Sequence, residues 1–380
     1  MTKDRRNIAM SNHAAEHRPV SGSEVCEPYT ARNCRPMIRR TPSSTVDVFI
    51  PSYQYGTYLS DCATSVLSQQ VPSLRLLIID NASTDGSREI AQGIAAADDR
   101  VTVVLNEQNR GWHHSFNRAI DWACSDYFMI LGADDLLPAG ALDLEKAFLD
   151  EHPEVAFAYG VEARLADGLL DSGRCDAART RWNVVKGEEF IRRTCFDSFC
   201  DVGSAAWIIR TSALKEAGAD GHYRSALRTA DFEMYLRLAM VGDVASCNRV
   251  LGIRRIHDAE MSAPYNKQRV LDFEDHEAAF GSFFAHEGTA LPGAGELLTL
   301  SRRAMGDYAY WYGLSQLLHG RDDAKTAFAF AAERRRLPTW VPPLGFLAKK
   351  RWLRSMWRAG RRVVHPAKPL DPGLKVPAYF

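Results

Sequence analysis

The 380-residue sequence lacks the features that mark several large classes of protein. Its eight cysteines are scattered singly, with no C-x-x-C pair and no Cys/His spacing typical of a zinc site, which favours reduced cytosolic thiols. No apolar signal segment opens the chain, and no run approaches the ~18 uninterrupted apolar residues of a membrane-spanning helix. We therefore expect a cytoplasmic protein, either soluble or peripheral at the inner face of the cell membrane.

The sequence also lacks a net charge, since 47 Lys and Arg match 47 Asp and Glu, but the charges are unevenly distributed. Eleven basic and no acidic residues lie between Arg334 and Lys368. Four aromatic residues alternate with these bases: Trp340, Phe346, Trp352 and Trp357. This mixture is typical of a helix lying on an anionic membrane surface, which we favour over nucleic acid or docking on the acidic remainder of the chain.

Apolar runs and amphipathic segments alternate from Val46 onward. We predict strands at VDVFI, LRLLIID, VTVVLN and YFMIL, and expect Pro51 to end the first of them after Ile50. Helices are predicted at YLSDCATSVLSQQ, SREIAQGIAAA and SFNRAIDWAC. Four alternations with short connections predict an α/β protein with a mostly parallel sheet and flanking helices.

The same pattern divides the chain into four segments. Residues 1–45 show no periodicity and are predicted to form a mobile tail. An α/β domain is expected over 46–265, with a variable loop after Leu165. A helical extension follows over 266–332, suited to packing or oligomerisation, and the basic aromatic segment covers 333–380.

Acidic residues follow two of the predicted strands. Asp80 and Asn81 end LLIIDN, and Asp134 and Asp135 end MILGADD. In open α/β sheets, ligands bind in the crevice outside the carboxyl ends of the strands. The spacing therefore predicts a nucleotide site at this edge.

Seven motifs together resemble one enzyme family. They are IPSYQYGTYL, IIDNASTDGS, NRGWHHSFNRAI, MILGADDLLPAG, GSAAWIIRTSALKEAGAD, ADFEMYLRLA and IRRIHDAEMS. In order and spacing they resemble the GT-A nucleotide-sugar glycosyltransferases of the inverting family 2, over about Val46 to Ser262. The resemblance implies a GT-A, Rossmann-like fold and sugar transfer from a nucleoside diphosphate sugar to a glycan or lipid-linked glycan hydroxyl, in polysaccharide or glycoconjugate synthesis.

The resemblance implies a set of donor-binding residues. Asp80 is expected to read the N–H edge of the nucleobase, while Ser52 and Tyr53 line its other side. The alternative is a turn, since Asn81, Ser83, Asp85 and Gly86 are turn formers, and a turn is compatible with base reading. The predicted donor set is Pro51, Ser52, Tyr53, Asp80, Asn81, Gly111, Asn117, Ala133, Asp134 and Asp135.

A metal site is implied at the second acidic motif. Asp134 and His257 are expected to hold Mg²⁺ or Mn²⁺, a hard cation that neutralises the departing diphosphate. Gly132 replaces the first acid of the family's Asp-x-Asp, which puts donor affinity in doubt more than metal binding. The alternative is that Asp134 and Asp135 only cap the helix expected near Pro138.

The acceptor side is implied by the later motifs. Gly203, Ser204 and Trp207 are expected to contact the acceptor, although Trp207 is equally compatible with a core position. Asp231 is expected to be the general base that accepts the hydroxyl proton, although Ala230 replaces the acid that usually precedes it. An N-cap role for Asp231 and a catalytic role for Glu233 are the alternatives.

Two other functions remain open. A non-catalytic glycan-binding or scaffold protein is suggested by Gly132 and Ala230, which replace acids of the family pattern. A sugar nucleotidyltransferase is less favoured, because IPSYQYGTY lacks the Gly-rich basic loop that such an enzyme needs after its first strand.

Overall fold

The computed structural model describes residues 44–166, 168–172, 179–217, 222–224, 226–258, 260, 269–319 and 323–334. Nearly all of the predicted tail and of the basic aromatic segment, together with Ser262, therefore lie outside the described residues. No helix within the described ranges is both long enough and apolar enough to cross a membrane.

Strands and helices alternate through the first half of the chain. The elements are β1 (Val46–Ser52), α1 (Gly56–Leu67), β2 (Leu74–Asp80), α2 (Ser87–Ala97), β3 (Val101–Leu105), α3 (Trp112–Trp122), β4 (Tyr127–Ile130) and α4 (Ala141–Glu151). Strands β1 to β4 are parallel and lie in the order β3-β2-β1-β4. The predicted parallel α/β unit is confirmed.

The second half extends the same sheet with mixed strand directions. The elements are β5 (Val155–Ala166), β6 (Leu169–Asp171), β7 (Trp182–Val185), α5 (Gly187–Asp197), β8 (Trp207–Arg210), α6 (Thr211–Glu216), α7 (Ala230–Val241) and β9 (Asp243–Arg255). Strand β8 is antiparallel to both β4 and β5, while β9 runs parallel to β5. The segment predicted to be a variable loop instead supplies β6, which pairs with β5, and β7, which pairs with β9.

The region after β9 is helical, as predicted. It contains α8 (Arg269–Ala285), a 3₁₀ turn (Glu287–Ala290), α9 (Ala294–Leu318) and α10 (Ala324–Arg334). The rings of Tyr310 on α9 and Phe328 on α10 are 5.6 Å apart, so these two helices pack together.

Alternate side chains of the parallel strands enter two cores, one on each face of the sheet. Val48, Ile50 and Ile78 pack with buried residues of α1 and α4. Phe49 and Ile79 face the other way, into a core shared with α3, α7, α8 and α9. Burial on both faces explains the nearly continuous apolar runs of these strands.

Strand β1 continues two residues beyond its predicted end. The Phe49 carbonyl accepts from Leu131, so odd-numbered positions of β1 point their backbone groups toward β4. Pairing with β4 stops at Phe49, whereas pairing with β2 continues to Ser52. Pro51 has no N–H with which to extend the pairing with β4, and it stays in the strand because the pairing with β2 continues through it.

Candidate active site

The carboxyl ends of β1, β2 and β4 lie side by side and carry the first group of predicted site residues. Ser52 and Asp80 are opposite each other in the β1–β2 register. Both are buried, and Asp80 Oδ1 accepts from the Ser83 backbone N–H at 2.9 Å. Among the described residues, neither Ser52 Oγ nor Asp80 Oδ2 has a hydrogen-bond partner. Unpaired buried polar atoms are costly, so this pair is suited to a polar ligand.

The loops after β1 and β2 hold each other in a strained conformation. Gln54 and Ala82 adopt positive φ angles of 61° and 67°, which are unfavourable for residues with a Cβ. The Gln54 N–H donates to Ser83 Oγ at 2.9 Å, and its side-chain oxygen accepts from the Thr84 N–H at 3.2 Å. Tyr53 lies beside them, 45% exposed. Strain of this kind commonly occurs at ligand sites.

Asn81 organises the next loop with its amide. Its Nδ2 donates to Asn109 Oδ1 at 2.8 Å, and its Oδ1 accepts from Asn106 Nδ2 and from the Arg110 N–H, both at 3.1 Å. The loop leads to Gly111 at the start of α3, whose φ of 80° is a conformation that favours glycine. Asn81 thus positions the loop, and its amide is already occupied.

The side-chain amide of Asn117 binds the backbone of the 222–224 segment. Its Nδ2 donates to the Tyr223 carbonyl at 3.1 Å, and its Oδ1 accepts from the Tyr223 N–H at 2.7 Å. With both amide atoms bound to one backbone unit, Asn117 docks the 222–224 segment on α3. Asn117 therefore has a structural role here, and its donor-binding role stays a prediction.

Asp134 and His257 are in contact, although they are 123 residues apart in the sequence. The distance from Asp134 Oδ2 to His257 Nε2 is 3.0 Å, and the two side chains are 14% and 12% exposed. The turn carrying Asp134 is fixed to β9 by reciprocal backbone bonds between Leu136 and Ile253, both 2.9 Å. These bonds explain how β9 delivers His257 to the end of β4.

The turn also carries excess negative charge. Asp135 is buried, and its Oδ1 accepts from the Arg255 N–H at 3.1 Å. Burial, and then the charge of Asp134, raise the pKa of Asp135 well above its ordinary value. Burial and the charges of Asp134, Asp135 and Glu260 likewise raise the pKa of Tyr55. A bound cation would relieve this concentration of acid.

The glycine in place of the first family acid has a steric reason. A Cβ at Gly132 would lie 2.9 Å from Asp134 Oδ1 and 3.0 Å from Asp135 Oδ2. Both carboxylates are fixed by their bonds to His257 and Arg255. The carboxylates of Asp134 and Asp135 therefore occupy the space that a side chain at position 132 would need. The capping alternative is not found, because α4 begins after Gly140 and lacks a side-chain cap.

The described residues contain no cluster of three or more His, Cys, Asp or Glu side chains arranged to hold a metal ion. Asp134 and His257 nevertheless offer a carboxylate oxygen and an imidazole nitrogen, which suit Mg²⁺ or Mn²⁺ when further oxygens come from a ligand. Ala133 lies buried between the two acids and Gly132. The residues fit a cation shared with a bound diphosphate.

Asp231 lies in the first turn of α7. The N-cap position belongs to Thr229, so the N-cap alternative for Asp231 is not found. Asp231 is half-buried, and burial raises its pKa despite opposing backbone bonds and the charge of His276. Glu233, the weaker candidate, is completely buried and paired with Arg224, which makes it structural.

The predicted acceptor residues divide into two groups. Gly203 and Ser204 lie in the loop before β8, and the Ser204 side chain is exposed. Trp207 is only 2% exposed, with its ring 4.7 Å from Tyr235 in an edge-on contact. The structure therefore supports the core position that was the alternative for Trp207, and not the acceptor contact.

Two site residues were missed by the sequence reasoning. Tyr55 precedes α1 and packs its ring 6.0 Å from His257, and Glu162 lies on β5. Burial is the main cause that raises the pKa of Tyr235, and the charges of Asp231 and Glu162 add to it. The charge of Glu162 likewise adds to burial and to the charge of Asp134 in raising the pKa of Asp135. For Glu162, the signal in the sequence was an acid that interrupts the apolar run VAFAYGVEARLA.

Comparisons with known proteins agree with this geometry. The model of the family described as Glycosyl transferase family 2 matches residues 47–218. A putative teichuronic acid biosynthesis glycosyltransferase, TuaG, of Bacillus subtilis is 35% identical over 124 residues, which are 32% of this chain and 49% of that protein. A chondroitin synthase of Escherichia coli is 24% identical over 59% of this chain and 30% of that protein. The chain thus spans about half or less of the length of these relatives.

Two solved structures have a similar fold at 16% identity. S. aureus TarS 1–349 in complex with UDP-GlcNAc gives a TM-score of 0.57, covering 80% of this chain and 83% of that one. The mannosyltransferase PcManGT from Pyrobaculum calidifontis, in complex with GDP-Man and Mn²⁺, gives 0.52, covering 85% and 81%. At this identity the likeness establishes the fold alone.

Proposed function

We propose that this chain, whose residues 47–218 match the model of glycosyl transferase family 2 and which has a GT-A fold, is an inverting enzyme of polysaccharide or glycoconjugate synthesis. It transfers a sugar from a nucleoside diphosphate sugar to a hydroxyl of a glycan or lipid-linked glycan. The observation that carries this proposal is the 3.0 Å contact between Asp134 and His257, at the sheet edge where Ser52 and Asp80 keep unpaired polar atoms.

The donor is proposed to lie along that edge. Ser52 and Asp80 supply oxygens that can form hydrogen bonds with the nucleobase. The complexes of the two solved structures with UDP-GlcNAc and GDP-Man support a nucleotide sugar as the ligand class. Asp134 and His257 would hold Mg²⁺ or Mn²⁺ against the diphosphate. When bound, the ion neutralises the negative charge that develops on the leaving group.

The acceptor hydroxyl is proposed to lose its proton to Asp231. Its oxygen attacks the anomeric carbon from the face opposite the diphosphate, which inverts the configuration at that carbon. Burial raises the pKa of Asp231, and a more basic carboxylate accepts a proton more readily. The early position of Asp231 in α7 keeps it near the positive end of the helix dipole, which favours its ionised form.

The location and partners are also proposals. We propose that the segment 333–380 attaches the enzyme to the anionic inner face of the membrane, where a lipid-linked acceptor would be available. Vesicle sedimentation of the full chain and of a chain ending at residue 334, with anionic and neutral lipid, tests this. Equal binding by both chains would contradict it.

A donor screen tests the proposed activity. We expect one class of nucleotide sugar to raise the melting temperature in the presence of Mn²⁺, because a ligand bound only to the folded state stabilises it. The same donor should then release its nucleoside diphosphate when acceptor is added, and Asp134→Asn should lose both effects. Binding without turnover would favour the non-catalytic alternative, and absence of binding across the panel would contradict the proposal.

A further inference from the structure

We propose that Glu162 is an acceptor-binding residue, which fixes the 203–206 loop with one carboxylate oxygen and receives a hydroxyl of the acceptor sugar with the other. This inference rests on the proposed glycosyl transfer. Glu162 lies on β5 opposite Gly252 of β9. Strand β8 pairs with β5 only as far as Tyr159, so the 203–206 loop takes the place of β8 beside Glu162.

The loop is held tightly against the sheet. Glu162 Oε2 accepts from the Ala205 N–H at 3.2 Å and from Ser204 Oγ at 3.4 Å. The Gly160 N–H donates to the Ala206 carbonyl at 2.8 Å. These three bonds fix the backbone that presents Ser204.

Two glycines allow this close approach. A Cβ at Gly203 would lie 2.6 Å from the Cβ of Glu162, and one at Gly252 would lie 2.0 Å from the Ala205 carbonyl oxygen. Neither position has room for a side chain, because the obstructing atoms are backbone or the base of a side chain. The loop is therefore seated directly on β5 and β9, with Glu162 at its edge.

The second oxygen of Glu162 is available to a ligand. No described residue donates a hydrogen bond to Oε1, and the side chain is partly exposed. The charge of Glu162 acts on Asp135 on one side and on Tyr235, one turn after Asp231, on the other. The packing agrees, because Gly252 opposite Glu162 lies three residues before Arg255, whose N–H binds Asp135. The loop that Glu162 holds leads into Trp207, whose ring lies 4.7 Å from Tyr235, one turn after Asp231. The oxygen is therefore proposed to face the space between the metal acids and the helix of the base, where an acceptor hydroxyl has to be placed.

The substitution Glu162→Gln separates the two roles. A glutamine keeps one carbonyl oxygen, which can still accept from the Ala205 N–H and hold the loop. It replaces the other oxygen by an amide NH₂, so the charged acceptor for the sugar hydroxyl is lost. Glu162→Ala removes both contacts and reports the effect of releasing the loop.

The experiment uses the full chain, the donor found in the screen and a panel of p-nitrophenyl glycosides of hexoses and N-acetylhexosamines. For Glu162→Gln we expect the acceptor KM to rise about tenfold or more, because a hydrogen bond to a charged group is lost. The donor KM and the rate of donor hydrolysis without acceptor should stay within about twofold of wild type. The melting temperature should stay within ~2 °C of wild type. The exposed Glu189→Gln, which disturbs only the pair with Arg193, serves as the matched control and should leave every constant unchanged.

Three outcomes are distinguishable. An unchanged acceptor KM in Glu162→Gln, with an active wild type, would overturn the inference and leave the proposed function intact. A parallel fall in melting temperature and in all kinetic constants for both variants would also overturn it, since that pattern describes a purely structural residue. A wild type that neither hydrolyses nor transfers from any nucleotide sugar would instead contradict the proposed function.

Discussion

Buried acids at the two ends of the parallel strands differ in how many hydrogen-bond partners the protein gives them. At the amino end, Asp47 of β1 is completely buried and accepts from Arg75 Nε and Nη2, both at 2.7 Å, and from the backbone and hydroxyl of Ser125. At the carboxyl end, Asp80 of β2 keeps one oxygen without a partner among the described residues. Both acids lie in strands of the same sheet, Asp47 as the second residue of β1 and Asp80 as the last residue of β2.

The pKa values of the buried acids also differ between the two ends of the strands. Burial raises the pKa of Asp47, but hydrogen bonds from Arg75, Ser125 and Cys124 outweigh it and hold the pKa below its ordinary value. Burial and the charge of Asp134 raise the pKa of Asp135. An acid satisfied by the protein stabilises the fold, whereas acids left unsatisfied or crowded together are prepared for a ligand.

The largest effect is expected at the carboxyl end, from Asp231→Asn. Without its proton acceptor the enzyme should lose about 10³-fold in kcat, within the usual range for a general base. Donor binding and the melting temperature should stay near wild type, because the amide keeps the shape of the side chain. Nucleotide release measures kcat, and thermal denaturation with and without donor measures donor binding and the melting temperature. Retained turnover would remove Asp231 from the mechanism.

The pH profile of kcat checks the same residue. Since burial raises the pKa of Asp231, the activity should begin to fall, as the pH is lowered, above the ~3.9 typical of an aspartate. Residual activity of Asp231→Asn should lack this acid limb. An identical acid limb in both proteins would assign the titration to another group.

The next largest effect is expected at the amino end. Asp47→Asn should lower the free energy of unfolding by about 2 kcal/mol, since an amide NH₂ would face the backbone N–H groups of Cys124 and Ser125, which donate to Asp47 Oδ2. The activity of the folded fraction should not change. Because the folded-state pKa is lowered, wild type should keep this stabilisation above pH ~3.9 and lose it only as the pH falls through the folded-state value.

Urea denaturation measures this difference. The control is Glu188→Gln, which breaks an exposed pair with Arg192 and should cost under about 0.5 kcal/mol. An equal loss in both variants would contradict the distinction between a satisfied buried acid and a surface ion pair.

A smaller effect is expected from restoring the family acid with Gly132→Asp. We expect about tenfold weaker Mn²⁺-dependent donor binding, because the new side chain displaces Asp134 and Asp135 from their fixed positions. Gly93→Ala, on α2 with open space around it, is the matched control and should bind donor normally. Tighter donor binding by Gly132→Asp in calorimetry would show that the glycine is a loss rather than an adaptation.

The smallest effect is expected at Glu145 of α4, which tests whether an unpaired acid marks a site by itself. Glu145 is completely buried, neither oxygen has a partner among the described residues, and burial raises its pKa well above the ordinary value. A group with a raised pKa stabilises the fold only at low pH and ceases to do so as the pH rises. Glu145→Met should therefore gain about 1 kcal/mol at pH 7 without changing activity, and thermal denaturation at pH 5 and 7 measures it. A loss of activity would give Glu145 a role in the site.

Much of this comparison was accessible from the sequence. The four apolar runs fixed the parallel strands, and acids following two of them predicted the edge at which Asp80 and Asp134 lie. His257 was placed with Asp134 only through the family resemblance. Local patterns gave no means of finding the contact, because it depends on the pairing of β9 with β5 and on the Leu136–Ile253 bridge.

Other features depended on packing that no local pattern reveals. Trp207 and Asn117 have the chemistry of ligand contacts, yet one enters the core and the other binds the Tyr223 backbone. Glu162 appeared as an interruption of a strand, and its partners lie 42 and 43 residues away. Residue type predicted what each side chain is able to do, and tertiary structure decided which partner it met.

The most direct test is a crystal structure of the chain with Mn²⁺ and the donor identified in the screen. We predict that one cleft holds the complete donor, with the ion against Asp134 and His257 and the Asp231 carboxylate facing the anomeric carbon from the side opposite the diphosphate. Asp134 and Asp231 in separate pockets, too far apart to serve one bound sugar, would contradict the account.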